Sequence, residues 1–98
     1  MPTFIIKISN GRKTRYLEWS TISDAPSSYG MTRRAFEIYY RKKYGSDGML
    51  GLQARMRRVE ENGCSALDED LDSMISFNRA GQRGRHLSKS ELWDAFCE

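Results

Sequence analysis

The chain has 98 residues, a net charge of +3, 39% hydrophobic residues and 30% charged residues. This composition is typical of one soluble globular domain and excludes a disordered chain. No apolar run approaches the roughly 20 residues that a membrane span needs, and residues 1–9 lack the pattern of a signal peptide. We therefore expect a cytoplasmic protein without membrane contact. Two isolated cysteines and a single histidine argue against a zinc site and predict free thiols.

The charge is distributed unevenly along the chain. Residues 1–60 carry 12 Lys and Arg against 5 Asp and Glu, whereas residues 61–98 carry 4 against 8. This asymmetry predicts either a bipolar surface or packing of the acidic part against the basic part. A pI of about 9.0 permits an anionic partner without requiring one.

The segment TFIIKISNGRKTRYLEWS predicts a β-hairpin over residues 3–19. Its Asn10-Gly11 pair is typical of a two-residue type I′ turn, which pairs Ile8 with Lys13 across the strands. Alternation along the two strands then gives one apolar face. That face consists of Phe4, Ile6, Ile8, Leu17 and Trp19.

The hairpin also predicts self-association. Ile5 and Tyr16 lie on the face opposite to the apolar one, and an exposed strand edge invites pairing with another chain. Four short helices are expected to cover one face only. We therefore expect a homodimer or a higher oligomer in which hairpins pair or stack across a two-fold axis.

Residues 20–30 are predicted to form a loop, and residues 31–97 a helical part with four short helices. The first helix begins at Met31 or Thr32 and ends before Gly45, whose flexibility suits a helix stop. The second begins after Ser46 or Asp47 and ends at Gly63. The fold class is α+β: a single domain over residues 1–98, with an N-terminal β-hairpin packed against about four short α-helices.

The third helix is expected to open near Ser65, with an acidic first turn and with Gly81 as its C-cap. The acidic residues of that turn are Asp68, Glu69 and Asp70, where negative charge suits the helix dipole. The fourth helix has the clearest start. Ser88 and Glu91 match a capping box there.

No catalytic residue, metal ligand or cofactor is predicted. His86 is the single histidine, and no nucleophile motif accompanies it. The acidic LDEDLD stretch lacks the spacing and the glycine of a calcium loop. These observations favour a binding protein over an enzyme.

The stretch NRAGQRGRH, residues 78–86, is the first candidate ligand-binding segment and is called the basic loop below. Asn78 can hydrogen-bond a ligand, and Arg79, Arg83 and Arg85 present planar donors that suit phosphate oxygens. The loop also leads into a helix N-terminus, which favours anions. The alternative is a solvated connection whose Asn and Arg only cap the preceding helix.

The stretch DAPSSYGM is the second candidate ligand-binding segment. It offers Asp24 as a hydrogen-bond acceptor and Tyr29 as an aromatic ring. Arg33 follows in the first turn of the next helix, where positive charge is unfavourable unless an anion binds. The alternative is a loop that merely connects strand to helix.

A basic face on the first two helices offers other functions. It comprises Arg34, Arg41, Lys42, Arg55 and Arg58. Such a face can meet an acidic protein partner or nucleic acid phosphates, and the alternative is a solvated helix surface.

Several stretches together resemble a family of small bacteriophage proteins. They are YLEWSTISDAP, YGM, YYRKKYG, RVEENGCS and FNRAG, which run from Tyr16 to Gly81. The QRGRH segment after NRAG departs from the family pattern and leaves Asn78 and Arg79 as the better supported positions. The resemblance implies an accessory protein that acts in the host cytoplasm against antiviral defence.

Two modes of action follow from that implication. The chain would sequester a nucleotide-type signalling molecule, or it would block a host defence complex as anti-CRISPR proteins do. In the first mode Asn78, Arg79, Arg83 and Arg85 grip phosphates or ribose. Tyr29 would then stack on a base, and Asp24 would accept a hydrogen bond from a base or a ribose hydroxyl.

Overall fold

An antiparallel hairpin forms the centre of the fold. The computed structural model describes residues 3–67 and 70–97. Strand β1 (Thr3–Asn10) pairs along its whole length with strand β2 (Lys13–Ser20). The sequence of both strands is rich in β-branched and aromatic residues, which pack well on a pleated surface. With the helices described below, the hairpin confirms the predicted α+β class.

The turn of the hairpin differs from the prediction. Asn10 pairs with Lys13, so the central turn residues are Gly11 and Arg12. Only Gly11 of these two has a positive φ, 62°, which is the pattern of a type II′ turn and not of the predicted type I′. The predicted pairing of Ile8 with Lys13 is therefore wrong by two residues. A shift of two keeps every side chain on its face, so the predicted apolar face is confirmed.

Four α-helices and one short 3₁₀ turn follow the hairpin. They are α1 (Arg33–Met49), α2 (Leu52–Asn62), α3 (Leu71–Ser76), the 3₁₀ turn Gln82–Gly84, and α4 (Lys89–Phe96). The Thr32 side chain caps α1 by accepting from the Ala35 N–H, and Gly45 (φ 70°, ψ −166°) interrupts that helix. At the start of α4, Ser88 and Glu91 form the predicted capping box.

Two predicted helix starts are wrong. The second helix begins only at Leu52, with Gly51 as its N-cap. Residues 46–49 were assigned to it, but they continue α1 beyond Gly45, where the first helix was expected to end. The third helix begins at Leu71, and its N-cap is Asp70. Asp68 and Glu69, which were expected in its first turn, lie outside the described residues.

The predicted end of the third helix is also wrong. The helix stops at Ser76, so Gly81 is not its C-cap. The Asn78 side chain accepts from the N–H of Ala80, and side-chain acceptors of this kind compete with continued helix. The residues after Phe77 therefore turn away from the helix axis.

Helices cover both faces of the hairpin. The predicted apolar face packs against α3 and α4 through side chains that include Met74, Ile75 and Leu92. Ile5 and Tyr16, on the opposite face, are only 2% and 7% exposed. They pack with residues of α1 and α2. The expectation that helices cover one face only is wrong.

Both edges of the hairpin are also paired. On the outer edge of β1, the Lys7 N–H donates to the Gly63 carbonyl at 2.8 Å and the Ser65 N–H donates to the Ile5 carbonyl at 2.9 Å. On the outer edge of β2, strand β3 (Ala25–Pro26) pairs with Trp19 and Ser20. Segments 63–65 and 25–26 thus occupy positions that a neighbouring chain would need.

The two reasons for expecting an oligomer are therefore wrong. No uncovered apolar face remains on the hairpin, and both of its edges carry backbone partners. Self-association stays a prediction, without support from the hairpin. Light scattering gives the mass in solution, to be compared with 11.4 kDa for one chain.

A buried carboxylate attaches α1 to the hairpin. Glu18 in β2 is 0% exposed. It accepts hydrogen bonds from the Tyr39 hydroxyl at 2.7 Å, from Lys43 Nζ at 2.6 Å and from the Tyr44 hydroxyl. Lys43 also lies over the rings of Tyr39 and Tyr44. A buried charge is tolerated only when it is paired and hydrogen-bonded, and here three residues of one helix supply those partners.

The ionised form of Glu18 is favoured in the folded state. Burial alone raises the pKa of its carboxyl, but the hydrogen bonds from Lys43, Tyr44 and Tyr39 outweigh burial and leave that pKa below its ordinary value of 4.5. The same hydrogen bond to Glu18 raises the pKa of Lys43. The pair therefore stays charged at neutral pH.

Replacing Glu18 tests this attachment. We expect Glu18→Gln to lower the free energy of unfolding by about 2–3 kcal/mol at pH 7, because it removes one charge of a buried pair. The loss is smaller than for a fully buried pair, since the half-exposed Lys43 regains water. The matched control is Glu37→Gln, since Glu37 pairs with Arg33 at 3.4 Å on the surface. The control is expected to cost less than about 0.5 kcal/mol. Urea denaturation of the three proteins measures both.

The difference in unfolding free energy between wild type and Glu18→Gln depends on pH, and the pKa of Glu18 sets its sign. Because the pKa of Glu18 is lower in the folded state than its ordinary 4.5, its stabilisation is complete above pH 4.5 and is lost as the pH falls through the folded value. The stability difference between wild type and Glu18→Gln therefore shrinks in acid. A difference that stays constant down to pH 3 would contradict the role of the Glu18 charge.

Candidate ligand-binding site

The buried side chain of Asn78 fixes the basic loop. Its amide nitrogen donates to the carbonyls of Ile75 at 2.5 Å and of Leu87 at 2.7 Å. Its amide oxygen accepts from the N–H groups of Ala80 and of Leu87 at 3.2 Å and 3.0 Å. These four bonds use the hydrogen-bonding capacity of the amide. Asn78 is therefore a structural residue. Its amide has no donor or acceptor left for a ligand, so the structure gives no support to the prediction that Asn78 binds one.

The rest of the basic loop is closed by backbone bonds. The Gly81 N–H donates to the Arg85 carbonyl at 2.7 Å, and the Gly84 N–H donates to the Gly81 carbonyl at 3.1 Å. A side chain at Gly81 would meet the Arg85 carbonyl at 2.8 Å, so the close approach requires glycine. Between them Arg83 adopts a left-handed conformation with φ 57°. The loop is thus an ordered element and not an unconstrained connection.

The structure brings Asp24 to the basic loop. The Arg79 N–H donates to the Asp24 carbonyl at 2.7 Å, which joins the two segments proposed from the sequence. Asp24 also has a left-handed backbone, with φ 53°. Among the described residues, Asp24 and Arg83 are the two non-glycine residues with positive φ, and such conformations cluster at functional sites.

A cavity of about 390 Å³ lies beside Asp24 and is called the Asp24 cavity below. It is lined by Phe4, Trp19, Thr21, Asp24, Ser73, Met74 and Phe77. Phe77 is 77% exposed. Ile22, in the turn that carries Thr21 and Asp24, is 82% exposed. The lining is polar and apolar in nearly equal parts, and small-molecule sites likewise combine apolar walls with polar groups that fix the ligand's orientation.

The arginines of the basic loop are largely without carboxylate partners. Within residues 3–67 and 70–97, no carboxylate forms an ion pair with Arg79 or Arg83. The Arg79 guanidinium lies next to Gly84, whose added Cβ would sit 3.5 Å from it. Arg85 makes only a long contact, 3.4 Å, with the exposed Glu91. Three guanidinium groups of one ordered loop are therefore available to an anion.

The N-terminus of α4 is not available to an anion. The Glu91 carboxylate already accepts the Ser88 N–H at 3.0 Å. That backbone hydrogen bond is the main cause that lowers the pKa of Glu91, so a second negative charge there would be repelled. The arginine side chains, and not the helix end, are the anion-binding groups of the basic loop.

Two predicted site residues lie apart from this cavity. Tyr29 is 73% exposed and packs on the ring of Phe96, with 6.3 Å between ring centroids. Arg33 forms ion pairs with Glu37 and, at 2.5 Å, with Glu60. Those carboxylates supply the negative charge that its position near the helix start needs. Neither Tyr29 nor Arg33 lines the Asp24 cavity.

The predicted basic face of the first two helices is smaller than expected. Arg55 donates to the Tyr40 hydroxyl at 2.5 Å, and Arg58 donates to the Ser65 carbonyl at 2.9 Å. Arg34, Arg41 and Lys42 remain exposed on α1. Binding of a defence protein or of nucleic acid by this face stays a prediction.

The sequence did not identify Phe77 or Ser73 as site residues. Phe77 follows the last residue of α3, where an apolar side chain is ordinarily assigned to the core. Trp19 and Phe4 were assigned to the apolar face of the hairpin, and they lie at the edge of that face in contact with the cavity. The segment FNRAG places Phe77 beside Arg79, which is the one local indication of its role.

Comparison of the chain with protein-family models, with curated proteins and with solved structures finds no match. The resemblance to small bacteriophage proteins stays a prediction. In the part of the chain that the structure describes, no helix is both long and apolar enough to cross a membrane. The same residues contain no group of three metal-ligating side chains.

The role of Asn78 predicts a specific effect on stability. We expect Asn78→Ala to lower the free energy of unfolding by about 2–4 kcal/mol, because it leaves buried N–H and carbonyl groups around the loop without partners. Gln82→Ala is the matched control, since Gln82 is exposed and contributes a backbone carbonyl that alanine keeps. Chemical denaturation measures both variants. Equal stability of the two would show that the loop does not depend on Asn78.

Proposed function

We propose that this chain is a non-enzymatic binding protein for a nucleotide-type small molecule, with the base in the Asp24 cavity and the phosphate on the basic loop. The observation that carries the proposal is the 2.7 Å bond between the Arg79 N–H and the Asp24 carbonyl. It joins a cavity lined in part by aromatic residues to a loop in which Arg79 and Arg83 form no ion pair with any described carboxylate. A nucleotide combines the two matching groups in one molecule.

The cavity suits a planar base. Its lining includes Phe4, Trp19 and Phe77, of which Trp19 is only 2% exposed and Phe77 is 77% exposed. Phe77 is therefore the accessible aromatic side chain, and base–aromatic stacking is a general mode of nucleotide recognition. A volume of about 390 Å³ is at the small end of the range for ligand pockets. It suits one base and its sugar rather than two bases. Phe77 takes the stacking role that the sequence assigned to Tyr29.

The basic loop suits the phosphate. The backbone N–H of Arg79 bonds to Asp24, which lines the cavity, and the Arg79 side chain extends along the loop to Gly84. Its guanidinium therefore lies one side-chain length from Asp24, a separation that a nucleotide can span. Arg83 and Arg85 are exposed in the same loop and add planar donors for phosphate oxygens.

The conformation of the loop supports a binding role. A left-handed arginine such as Arg83 costs free energy that a glycine would not, and the four bonds of Asn78 hold the segment in place. Groups ordered before the ligand arrives reduce the entropic cost of binding. Together with the resemblance to bacteriophage proteins, this favours sequestration of a nucleotide signal of host defence.

Arg79 provides the test. Calorimetry with guanosine and adenosine monophosphates, cyclic dinucleotides and ADP-ribose is expected to give binding for at least one of them. We expect Arg79→Ala to weaken that binding by roughly tenfold to a hundredfold, the usual effect of losing a hydrogen bond from a charged group. The backbone bond to Asp24 survives in this variant, because alanine keeps its N–H.

The matched control is Arg41→Ala, which removes an exposed arginine from α1 without touching the cavity. Its affinity is expected to equal that of the wild type. The proposal would be overturned by the absence of heat with every nucleotide. It would also be overturned by equal losses in the two variants, since these would reflect net charge alone.

A further inference from the structure

We propose that the Asp24 cavity selects a guanine base, with the Asp24 carboxylate accepting from the two adjacent N–H groups on the base edge. This inference rests on the proposed function, since it names the ligand class of the same site. The juxtaposition that carries it is Asp24, which forms no ion pair with any described residue, in the lining of a cavity that also contains aromatic residues. Neither feature alone distinguishes between bases.

The Asp24 carboxylate is available to a ligand. Among the described residues, no N–H or O–H group donates to the oxygens of this carboxylate. The Arg79 N–H donates to the backbone carbonyl of Asp24 and not to its side chain. A carboxylate in contact with water loses hydrogen bonds when a ligand fills the cavity, so the ligand must replace them. An ionised carboxylate only accepts hydrogen bonds. The group that faces it must therefore be a donor.

The chemistry of the bases then decides the choice. Guanine carries two adjacent donors on its pairing edge, the ring N1–H and the exocyclic amino group. This parallel pair matches the two oxygens of a carboxylate in the way that an arginine fork does. Adenine offers only an amino group beside a ring nitrogen that accepts, and that nitrogen would face the Asp24 oxygens with like polarity. The cavity is therefore selective against adenine as well as favourable to guanine.

The position of Asp24 favours contact with the base over contact with ribose. Asp24 and the exposed Phe77 line one cavity, so we infer that the planar group that stacks on Phe77 is the group whose edge reaches the carboxylate. The phosphate lies outward on Arg79, and the sugar lies between the two.

Asp24→Asn is a sharp variant for the test. Asparagine tolerates the left-handed backbone at this position as well as aspartate does, so the turn and its bond to Arg79 are kept. The wild type is expected to bind guanosine monophosphate at least about tenfold more tightly than inosine monophosphate, which lacks the amino group. It is expected to bind adenosine monophosphate more weakly than either. In Asp24→Asn the ratio between guanosine and inosine monophosphates is expected to fall close to one.

Calorimetry with the three nucleotides separates the possible failures. Equal affinity of the wild type for all three would overturn the guanine assignment and leave nucleotide binding intact. A uniform loss with all three in Asp24→Asn, together with weak binding of the 2′,3′-dideoxy form of guanosine monophosphate, would place Asp24 on the ribose and overturn the assignment as well. Absence of binding by any nucleotide would overturn the proposed function and this inference together.

Discussion

The buried residue Glu18 attaches both α1 and the segment after the Asp24 turn to the hairpin. It lies on the hairpin face that α1 covers, and three side chains of that helix satisfy it. Removing a carboxylate from water costs several kcal/mol unless such partners are in place. The helix therefore has one favourable position on that face. A second carboxylate, Glu60 of α2, reinforces the arrangement by accepting from Tyr16 at 2.8 Å and pairing with Lys7 and Arg33.

The Glu18 backbone also sets the position of the candidate site. Its carbonyl accepts from the Ser27 N–H at 2.7 Å, and its N–H donates to the Ser28 hydroxyl at 2.9 Å. These bonds return the chain to β2 immediately after the turn that carries Asp24. The turn is therefore held between two anchors, the strand on one side and Arg79 on the other. A short loop that is fixed at both ends can present a carboxylate to a cavity at little further entropic cost.

Local patterns in the sequence predicted the parts of the fold that depend on neighbouring residues. Alternation identified the apolar face of the hairpin, and the Ser88–Glu91 capping box located α4. Long-range contacts determined the parts that were wrong. Segment 63–65 pairs with β1 instead of opening a helix, and helices bury Ile5 and Tyr16 on the second face. In the site, Asp24 and the arginines of the loop were predicted from their chemistry. The sequence does not show that Asn78 points inward, that Arg33 meets Glu60, or that Phe77 is exposed, because each depends on how distant elements pack.

If the Asp24 cavity and the basic loop form one nucleotide site, as we propose, amide chemical shift mapping detects both parts in one titration. Uniformly ¹⁵N-labelled protein is titrated with guanosine monophosphate while every backbone amide is followed. We expect saturable shifts to concentrate at residues 21–24, 73–77 and 79–85, which lie on separate parts of the chain. Saturable shifts confined to α1 around Arg34 and Arg41, or no saturable shifts at millimolar nucleotide, would contradict it.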